Sequence, residues 1–316
     1  AAPTNTLNCS FGLEFMAPYG VSIFGASEAG GYGRTESSMV RPVITIPLRA
    51  VTLEEISDTE IKMTINENAT YTPNETDIGK TVAGYTPNGS SSYSTTQGGA
   101  ERSGYQNQTH NRDTGLKWKL WKVDTAKNEI QIISDRATSS TISLLNITGY
   151  NNGVRLLDEI CSNVYGNSTI AAKGGSYKAR NMKLSDIIGE SGTDTTVIKS
   201  TTTNQNNNGY GTTYIDYTSG TFPKIWVSNE RNVTTIASRE EAGNSWLSAS
   251  DYTTANSSSN KMRAYETRWY NTSMNQNSFQ NATYFNMVMG TALGNSTYWL
   301  STRWVLPGSS GCDFGL

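Results

Sequence analysis

The feature that most constrains the fold is an apolar, β-branched run near the N-terminus, residues 39–49, with the sequence MVRPVITIPLR. β-branched side chains favour extended backbone and pack well on the surface of a sheet. Pro42 and Pro47 lie near the two ends of the run, where a missing N–H does not interrupt the interior of a ladder. The run therefore predicts a strand.

Further strands are predicted where apolar and polar residues alternate. Residues 60–67 (EIKMTINE) have the period of a half-buried strand. Residues 116–124 and 129–135 alternate in the same way and are separated by TAKN, which predicts a β-hairpin. Short strands are also predicted at 224–230 (KIWVSNE) and 298–305 (YWLSTRWV), the latter preceded by a short helix.

Two other helices are predicted from apolar spacings of three and four. The longer one covers residues 153–166, with Asn151 or Asn152 as its cap and Gly166 as its stop. The shorter one covers 179–190 (ARNMKLSDIIGE). Thr86 to Gly115 is rich in Ser, Gly, Asn, Gln and Thr, which predicts a long loop or an excursion between strands. Together these elements predict an α+β fold with long polar loops.

Composition argues against several functions. A net charge of −2 and a pI near 5.6 offer no basic surface for nucleic acid. The sequence has no apolar run near the length of a membrane span. His110 is the single histidine, and its polar context QTHNR predicts a solvated loop. Without histidine triads or metal-ligand clusters, we expect no enzymatic activity, no metal and no cofactor.

The other residues that could carry chemistry are pairs of adjacent carboxylates and three cysteines. The carboxylate pairs diverge instead of converging on a substrate, which predicts surface charge at Glu54 and Glu55, Asp158 and Glu159, and Glu240 and Glu241. The cysteines Cys9, Cys161 and Cys312 cannot all pair within one chain, which leaves an intermolecular bridge or free buried thiols as alternatives. Cys161, on the apolar side of the longer helix, is predicted to be a buried, inert thiol.

Several motifs occur in a fixed order: WKLWKVD followed by IQIISD, GYNNGVRLLDEIC, ARNMKLSDI, and YWLSTRWV followed by CDFGL. This order resembles a family of uncharacterised extracytoplasmic domains of Firmicutes, in which corresponding motifs end in FGVR and VRPVV strands. The likeness covers most of residues 78–316. It implies a C-type-lectin-like core, related to the formylglycine-generating-enzyme type of fold.

The chain departs from that family in the order of its parts. CDFGL stands at residues 312–316, whereas the expected sequel, VRPVITI, follows a second copy, CSFGL, at residues 9–13. We therefore expect a permuted domain with three parts. Residues 1–50 are an N-terminal complementing segment that carries the closing strands, 51–85 are connecting strands, and 86–316 are an incomplete C-type-lectin-like domain.

Residues 7–49 could close their own domain, insert into a neighbouring molecule, or belong to one period of a tandem repeat. An open sheet edge is a pairing template, and head-to-tail donation propagates into filaments. The sequence thus predicts a non-enzymatic extracellular or cell-surface structural protein that assembles with copies of itself by strand complementation. The alternative is a monomeric surface adhesin or lectin-like module whose partner is a glycan or a host surface.

Two sets of residues follow from these hypotheses. The predicted subunit interface comprises Cys9, Phe11, Leu13, Val40, Val43, Ile44, Ile46, Cys312, Phe314 and Leu316. A bond between Cys9 and Cys312 would seal it. Aromatic residues are typical of recognition surfaces, so a possible ligand surface comprises Tyr19, Phe24, Tyr32 and Trp304.

Overall fold

The fold is mixed α+β and is built mostly from strands, which confirms the predicted class. The computed structural model describes residues 13–17, 22–25, 37–66, 71–94, 108–143, 146–188, 197, 221–223, 235–238, 240, 242, 276–289, 298–308 and 311–315. Its helices are α1 (Asn146–Val164), α2 (Ser168–Ala171), α3 (Leu184–Ile188) and α4 (Ala282–Met289).

The strands of the described residues occur along most of the chain. They are β1 (Leu13–Ala17), β2 (Ser22–Gly25), β3 (Ser37–Met39), β4 (Pro42–Pro47), β5 (Val51–Ser57), β6 (Glu60–Ile65), β7 (Thr81–Ala83), β8 (Ser92–Ser94), β9 (Thr109–Asn111), β10 (Trp118–Asp124), β11 (Glu129–Ser134), β12 (Thr141–Ser143), β13 (Lys178–Asn181), β14 (Thr221–Pro223), β15 (Thr235–Ser238), β16 (Tyr298–Gly308) and β17 (Gly311–Gly315).

Two larger sheets organise the described residues. One has the order β13-β4-β11-β10-β7-β6-β5, and the other has the order β12-β3-β16-β1-β2 with β17 paired to β16. The predicted hairpin is confirmed as β10 and β11, with Trp118 opposite Ser134 and Asp124 opposite Glu129. The predicted strands at 60–67 and 298–305 are confirmed as β6 and β16. Residues 224–230 lie outside the described residues.

Strand β4, the product of the apolar run, lies inside the first sheet and is buried along its whole length. Its two faces contribute to different cores. Ile44 and Ile46 join a cluster with the apolar side of α1, including Leu157 and Ile160. Val43 joins a second cluster with Trp121 and with residues of α3 and α4.

The longer helix begins earlier than predicted. It starts at Asn146, so Asn152, 1% exposed, lies inside the helix and is not its cap. The apolar residues that predicted the helix are nevertheless its buried side: Val154, Leu157, Ile160, Cys161 and Val164 are all 0% exposed. Burial of this side stabilises the helix more than the terminal caps do.

The predicted helix at 179–190 is wrong in its first half. Residues Lys178–Asn181 form β13, which pairs antiparallel with β4 from Lys178 opposite Thr45 to Asn181 opposite Pro42. Within the described part of this stretch, which ends at residue 188, Leu184–Ile188 are helical. Residues 178–181 pair with the edge of β4 that is not occupied by β11. This tertiary pairing overrides the helical periodicity of the segment. The predicted loop 86–115 likewise contains a pair of short strands, β8 and β9.

Candidate assembly site

The candidate assembly site is the region where the N-terminal strands pair with the other strands of the two large sheets. β1 pairs antiparallel with β16 and with β2. β3 pairs antiparallel with β12 and contacts β16 in parallel, and β4 lies between β11 and β13. The N-terminal segment thus contributes strands to each large sheet, and β4 has neighbours on both edges.

The predicted interface residues fall into two groups within the described part of the chain. Val40, Val43, Ile44 and Ile46 are 0% exposed, and their contacts lie in the two cores of their own chain. Leu13 lies in β1 opposite Arg303. In the hairpin of β16 and β17, Phe314 is opposite Val305 and Cys312 is opposite Pro307. Cys9, Phe11 and Leu316 lie outside the described residues.

The strands at the two copies of the repeated motif, β1 and β17, both pair with β16. β1, which begins at the end of the first copy, pairs with Tyr298 to Arg303 of β16. β17, which contains residues 312–315 of the second copy, pairs with Trp304 to Gly308 of that strand. The proposed bond between Cys9 and Cys312 stays a prediction. Cys161 is a free, buried cysteine, as predicted, and burial raises the pKa of its thiol.

The predicted ligand surface is only partly within the described residues. Phe24 lies in β2 opposite Phe15, and Trp304 lies in β16 opposite Gly315. Strand β1 separates their two strands in the sheet order. Tyr19 and Tyr32 lie outside the described residues, so the grouping of these four aromatic residues stays a prediction.

Sequence reasoning missed Arg41, which is 0% exposed although it carries a charge. Its Nε donates to the carbonyl oxygen of Ser134 at 3.1 Å, and its two terminal nitrogens donate to the carbonyls of Met287 and Val288 in α4. The guanidinium lies 5.4 Å from the ring centre of Tyr298. A charge between Val40 and Pro42, within an apolar run, was the signal that could have revealed it.

Asn181 joins β4 to the second sheet. Its side-chain oxygen accepts from the backbone N–H of Arg41 at 2.8 Å, and its Nδ2 donates to the carbonyl of Trp299 at 2.8 Å. The chain continues the bridge, because the N–H of Met182 donates to the carbonyl of Arg41 and the N–H of Ser301 donates to that of Met182. The N-terminal part of the chain that contains Arg41 and β4 is therefore held by directed bonds as well as by apolar contacts.

The link that leaves β4 is short. A 3-10 turn, Leu48–Ala50, joins β4 to β5, although β5 is the far edge strand of the same sheet. Five strand spacings would separate the two strands by about 24 Å in a flat sheet, whereas the Cα atoms of Pro47 and Val51 can lie at most about 15 Å apart. The sheet must therefore curl to bring β5 back towards the end of β4.

The predicted surface position of His110 is wrong, because the side chain is 0% exposed. Its Nε2 lies 2.9 Å from the hydroxyl of Tyr165, which also accepts from the N–H of Asp113. Its Nδ1 has no hydrogen-bond partner. Burial lowers the pKa of His110 to about 4. Although burial opposes ionisation of Asp113, hydrogen bonds from Arg136 and two backbone amides lower its pKa to about 2.

Two of the predicted surface carboxylates also have internal roles. Asp158 of α1 accepts from the N–H of Asn181 at 3.1 Å and from the hydroxyl of Ser301 at 3.2 Å, and burial raises its pKa. Glu240 accepts from the N–H of Ser185 at 3.0 Å and from its hydroxyl, and also from the hydroxyl of Thr302. These carboxylates join helices to β16, a role that sequence adjacency does not reveal.

A polar cleft of about 1140 Å³ opens beside the hairpin of β10 and β11 and the start of α4. Gln131, Lys183, Glu240, Asn281 and Tyr284 are among the residues that line it. The Oε1 atom of Gln131 is buried there without a hydrogen-bond partner. At its wall, Arg180 and Asp186 form a buried two-point ion pair with distances of 2.6 and 2.7 Å.

Among the described residues, no three His, Cys, Asp or Glu side chains are grouped as a metal site would require. The helices of this part of the chain are too short or too polar to cross a bilayer. Comparisons of the chain with protein-family models, with curated proteins and with solved structures found no match. The site therefore has to be interpreted from its own geometry.

Proposed function

We propose that this protein is a non-enzymatic extracellular structural protein that assembles head to tail by strand complementation. In this proposal residues 7–49 detach from the sheets of their own chain and complete the sheets of a neighbouring molecule. The chain is then a C-type-lectin-like core whose closing strands come from the N-terminal segment in permuted order. Because the donating and accepting surfaces differ, each added copy leaves one free donor and one free acceptor, and the assembly grows as a filament.

The burial of β4 is the observation that supports this proposal. The strand pairs with β11 from Val43 opposite Ile133 to Pro47 opposite Glu129, and with β13 on its other edge. Without the segment, both neighbouring strands would expose backbone donors and acceptors, and both cores would expose apolar surface. The rest of the chain therefore needs this strand from some source.

The short link is a suitable hinge for the exchange. Pro47 and Val51 on either side of it are already extended, with φ and ψ of −67° and 129° and of −140° and 149°. Exchange therefore requires new dihedral angles only in the turn Leu48–Ala50. In the closed chain this turn buries Leu48 and Ala50. Short connecting loops favour domain exchange, because opening them relieves the strain of a tight turn.

The test is a change in the length of this hinge in the full chain. A Gly-Ser-Gly-Ser insertion after Arg49 relaxes the link, so we expect the segment to close on its own chain and the assembled fraction to fall at least about tenfold. Light scattering from about 1 to about 100 μM and electron microscopy of the same samples measure assembly. The matched control inserts the same residues after Asp58, in the exposed turn between β5 and β6.

Two results would contradict assembly by exchange. The first is an unmodified chain that stays monomeric over the whole concentration range. The second is a hinge-lengthened chain that still forms filaments as the control does, since assembly would then depend on another surface. The first result would instead favour the second candidate function, a monomeric surface module.

The second candidate is a monomeric surface module that binds a polar ligand. The observation in its favour is the cleft beside α4, where hydroxyl, amide and carboxylate groups surround a buried and unpartnered acceptor on Gln131. Such a lining suits the hydroxyl groups of a glycan, which donate as well as accept hydrogen bonds. Loss of glycan binding in Gln131→Leu, with binding retained in Gln108→Leu, would support this function.

A further inference from the structure

The pocket around Arg41 has the features of a binding site for one kind of side chain. Three backbone carbonyls accept from the guanidinium, those of Ser134, Met287 and Val288. Two of them belong to the last turn of α4 (Ala282–Met289). Helix-terminal carbonyls lack partners within the helix, and a positive charge is stabilised beside them. Arg41 therefore caps α4 from a segment that is distant in sequence.

Tyr298 completes the pocket. Its ring lies 5.4 Å below the guanidinium carbon, and its hydroxyl donates to the carbonyl of Val288 at 2.9 Å. A planar guanidinium satisfies several carbonyls at once and stacks on an aromatic face, which a lysine ammonium cannot do together. The geometry thus selects arginine by shape and by the number of its donors.

Arg41 directly precedes β4, and its position distinguishes the two faces of that strand. Arg41 and Val43 face the core that contains α4, whereas Ile44 and Ile46 face the aliphatic core beside α1. A slip of one residue would place the guanidinium among aliphatic side chains without hydrogen-bond partners. A slip of two residues would place Met39 in the pocket and leave the carbonyl of Met287 in α4 without its guanidinium donor.

We propose that this pocket is the recognition site for the complementing strand and that Arg41 fixes the register in which the strand enters the sheet. The ligand it accepts is a strand with an arginine directly before a proline and a β-branched run. That the strand comes from a second copy of this chain rests on the proposed function. The register role applies equally when the segment closes its own chain.

Disulfide trapping in the full chain can test the register. Thr45 lies directly opposite Gln131, so Thr45→Cys with Gln131→Cys reports the observed pairing. Glu129 is two residues away, at a diagonal Cα distance of about 8 Å that is too long for a disulfide. Thr45→Cys with Glu129→Cys therefore reports the slip that brings Met39 to the place of Arg41.

With Arg41 present, we expect the first pair to form a bond at least about ten times faster than the second. In Arg41→Met this ratio falls to about three or less, because neither register then places a guanidinium beside the carbonyls of Ser134 and Met287. Arg41→Lys gives an intermediate ratio, since an ammonium satisfies fewer of these carbonyls. Peptide mapping distinguishes each engineered bond from any bond that involves the native cysteines. Arg49→Met is the matched control, because Arg49 is exposed at the end of the same segment.

Each outcome addresses one of the two proposals. An unchanged ratio in Arg41→Met overturns the register role, and if that variant does not fold, an unchanged ratio in Arg41→Lys has the same meaning. Bonds found only within single chains at every concentration overturn exchange between copies but leave the register role standing. Bonds between chains that require Arg41 support both proposals.

Discussion

The two faces of β4 stabilise the fold in different ways. On one face, Ile44 and Ile46 pack among aliphatic side chains of α1 and neighbouring strands. On the other, Val43 shares its core with aromatic residues, and Arg41 donates to the end of α4. Apolar burial is proportional to area and has little directional preference, whereas a buried guanidinium is tolerated only where its donors are satisfied. The first face therefore provides stability, and the second provides specificity.

The first prediction tests the stabilising face and has the largest expected effect. Ile44→Ala removes buried methyl and methylene groups and leaves a cavity beside α1, so we expect a loss of about 4 kcal/mol in the free energy of unfolding. Urea denaturation followed by fluorescence measures it. The register ratio of the disulfide pairs should not change. A large shift in that ratio would show that both faces set the register.

Ile56→Ala is the matched control for this measurement. Ile56 lies in β5, the edge strand of the same sheet, and is 51% exposed. Its truncation should change the free energy of unfolding by no more than about 0.5 kcal/mol.

The second prediction concerns acid, to which the α1 side is more sensitive. Burial lowers the pKa of His110 from 6.5 to about 4, so the unfolded chain binds a proton first as the pH falls. Stability is complete above about pH 6.5 and declines towards pH 4, with a total loss of about 3 kcal/mol. Below pH 4 the folded chain also binds the proton, and this decline ends.

His110→Gln keeps an acceptor for Tyr165 but does not titrate in this range. Urea midpoints of this variant should be level between pH 6.5 and 4, unlike those of the unmodified chain. On the α4 side, attraction to Arg180 overcomes burial and lowers the pKa of Asp186 to about 2. Its contribution is therefore lost only below about pH 4. Equal acid sensitivity of His110→Gln and the unmodified chain above pH 4 would contradict the assignment to His110.

The sequence predicted the elements whose signal is local. The β-branched run became β4, the alternating segments became β10 and β11, and the apolar spacing of α1 identified its buried residues. It failed where a distant partner determines the outcome. Residues 178–181 are a strand because β4 offers an open edge, and no local pattern contains that information.

The buried polar groups of the candidate site were the least predictable part. His110 stands in a polar stretch, yet Tyr165 and Asp113 form a closed site around it. Arg41 stands between valine and proline, and its acceptors lie in residues 134 and 287–288. Only the unusual presence of a charge within an apolar run could have marked Arg41, because the acceptors are main-chain groups that any residue supplies.

The third prediction tests the specifying face. Arg41→Met keeps the length of the side chain but leaves the carbonyl of Met287 without its guanidinium donor, and the carbonyl of Val288 keeps only the hydroxyl of Tyr298. Unpaired buried carbonyls outweigh the relief of a desolvated charge, so we expect a loss of about 2 kcal/mol in the free energy of unfolding. Urea denaturation measures it, with Arg49→Met as the control. An increase in stability would show that the charge is retained at a cost and acts on register alone.

The fourth prediction concerns the floor of the arginine pocket and has the smallest effect. Tyr298→Phe keeps the ring under Arg41 but removes the hydroxyl that donates to Val288. Because the carbonyl of Val288 still accepts from Arg41, the expected loss is about 1 kcal/mol. In Arg41→Met the hydroxyl is the remaining donor to that carbonyl, so the same substitution should then cost more. A double-mutant cycle measures this coupling, and strictly additive losses would mean that the two side chains do not share the end of α4.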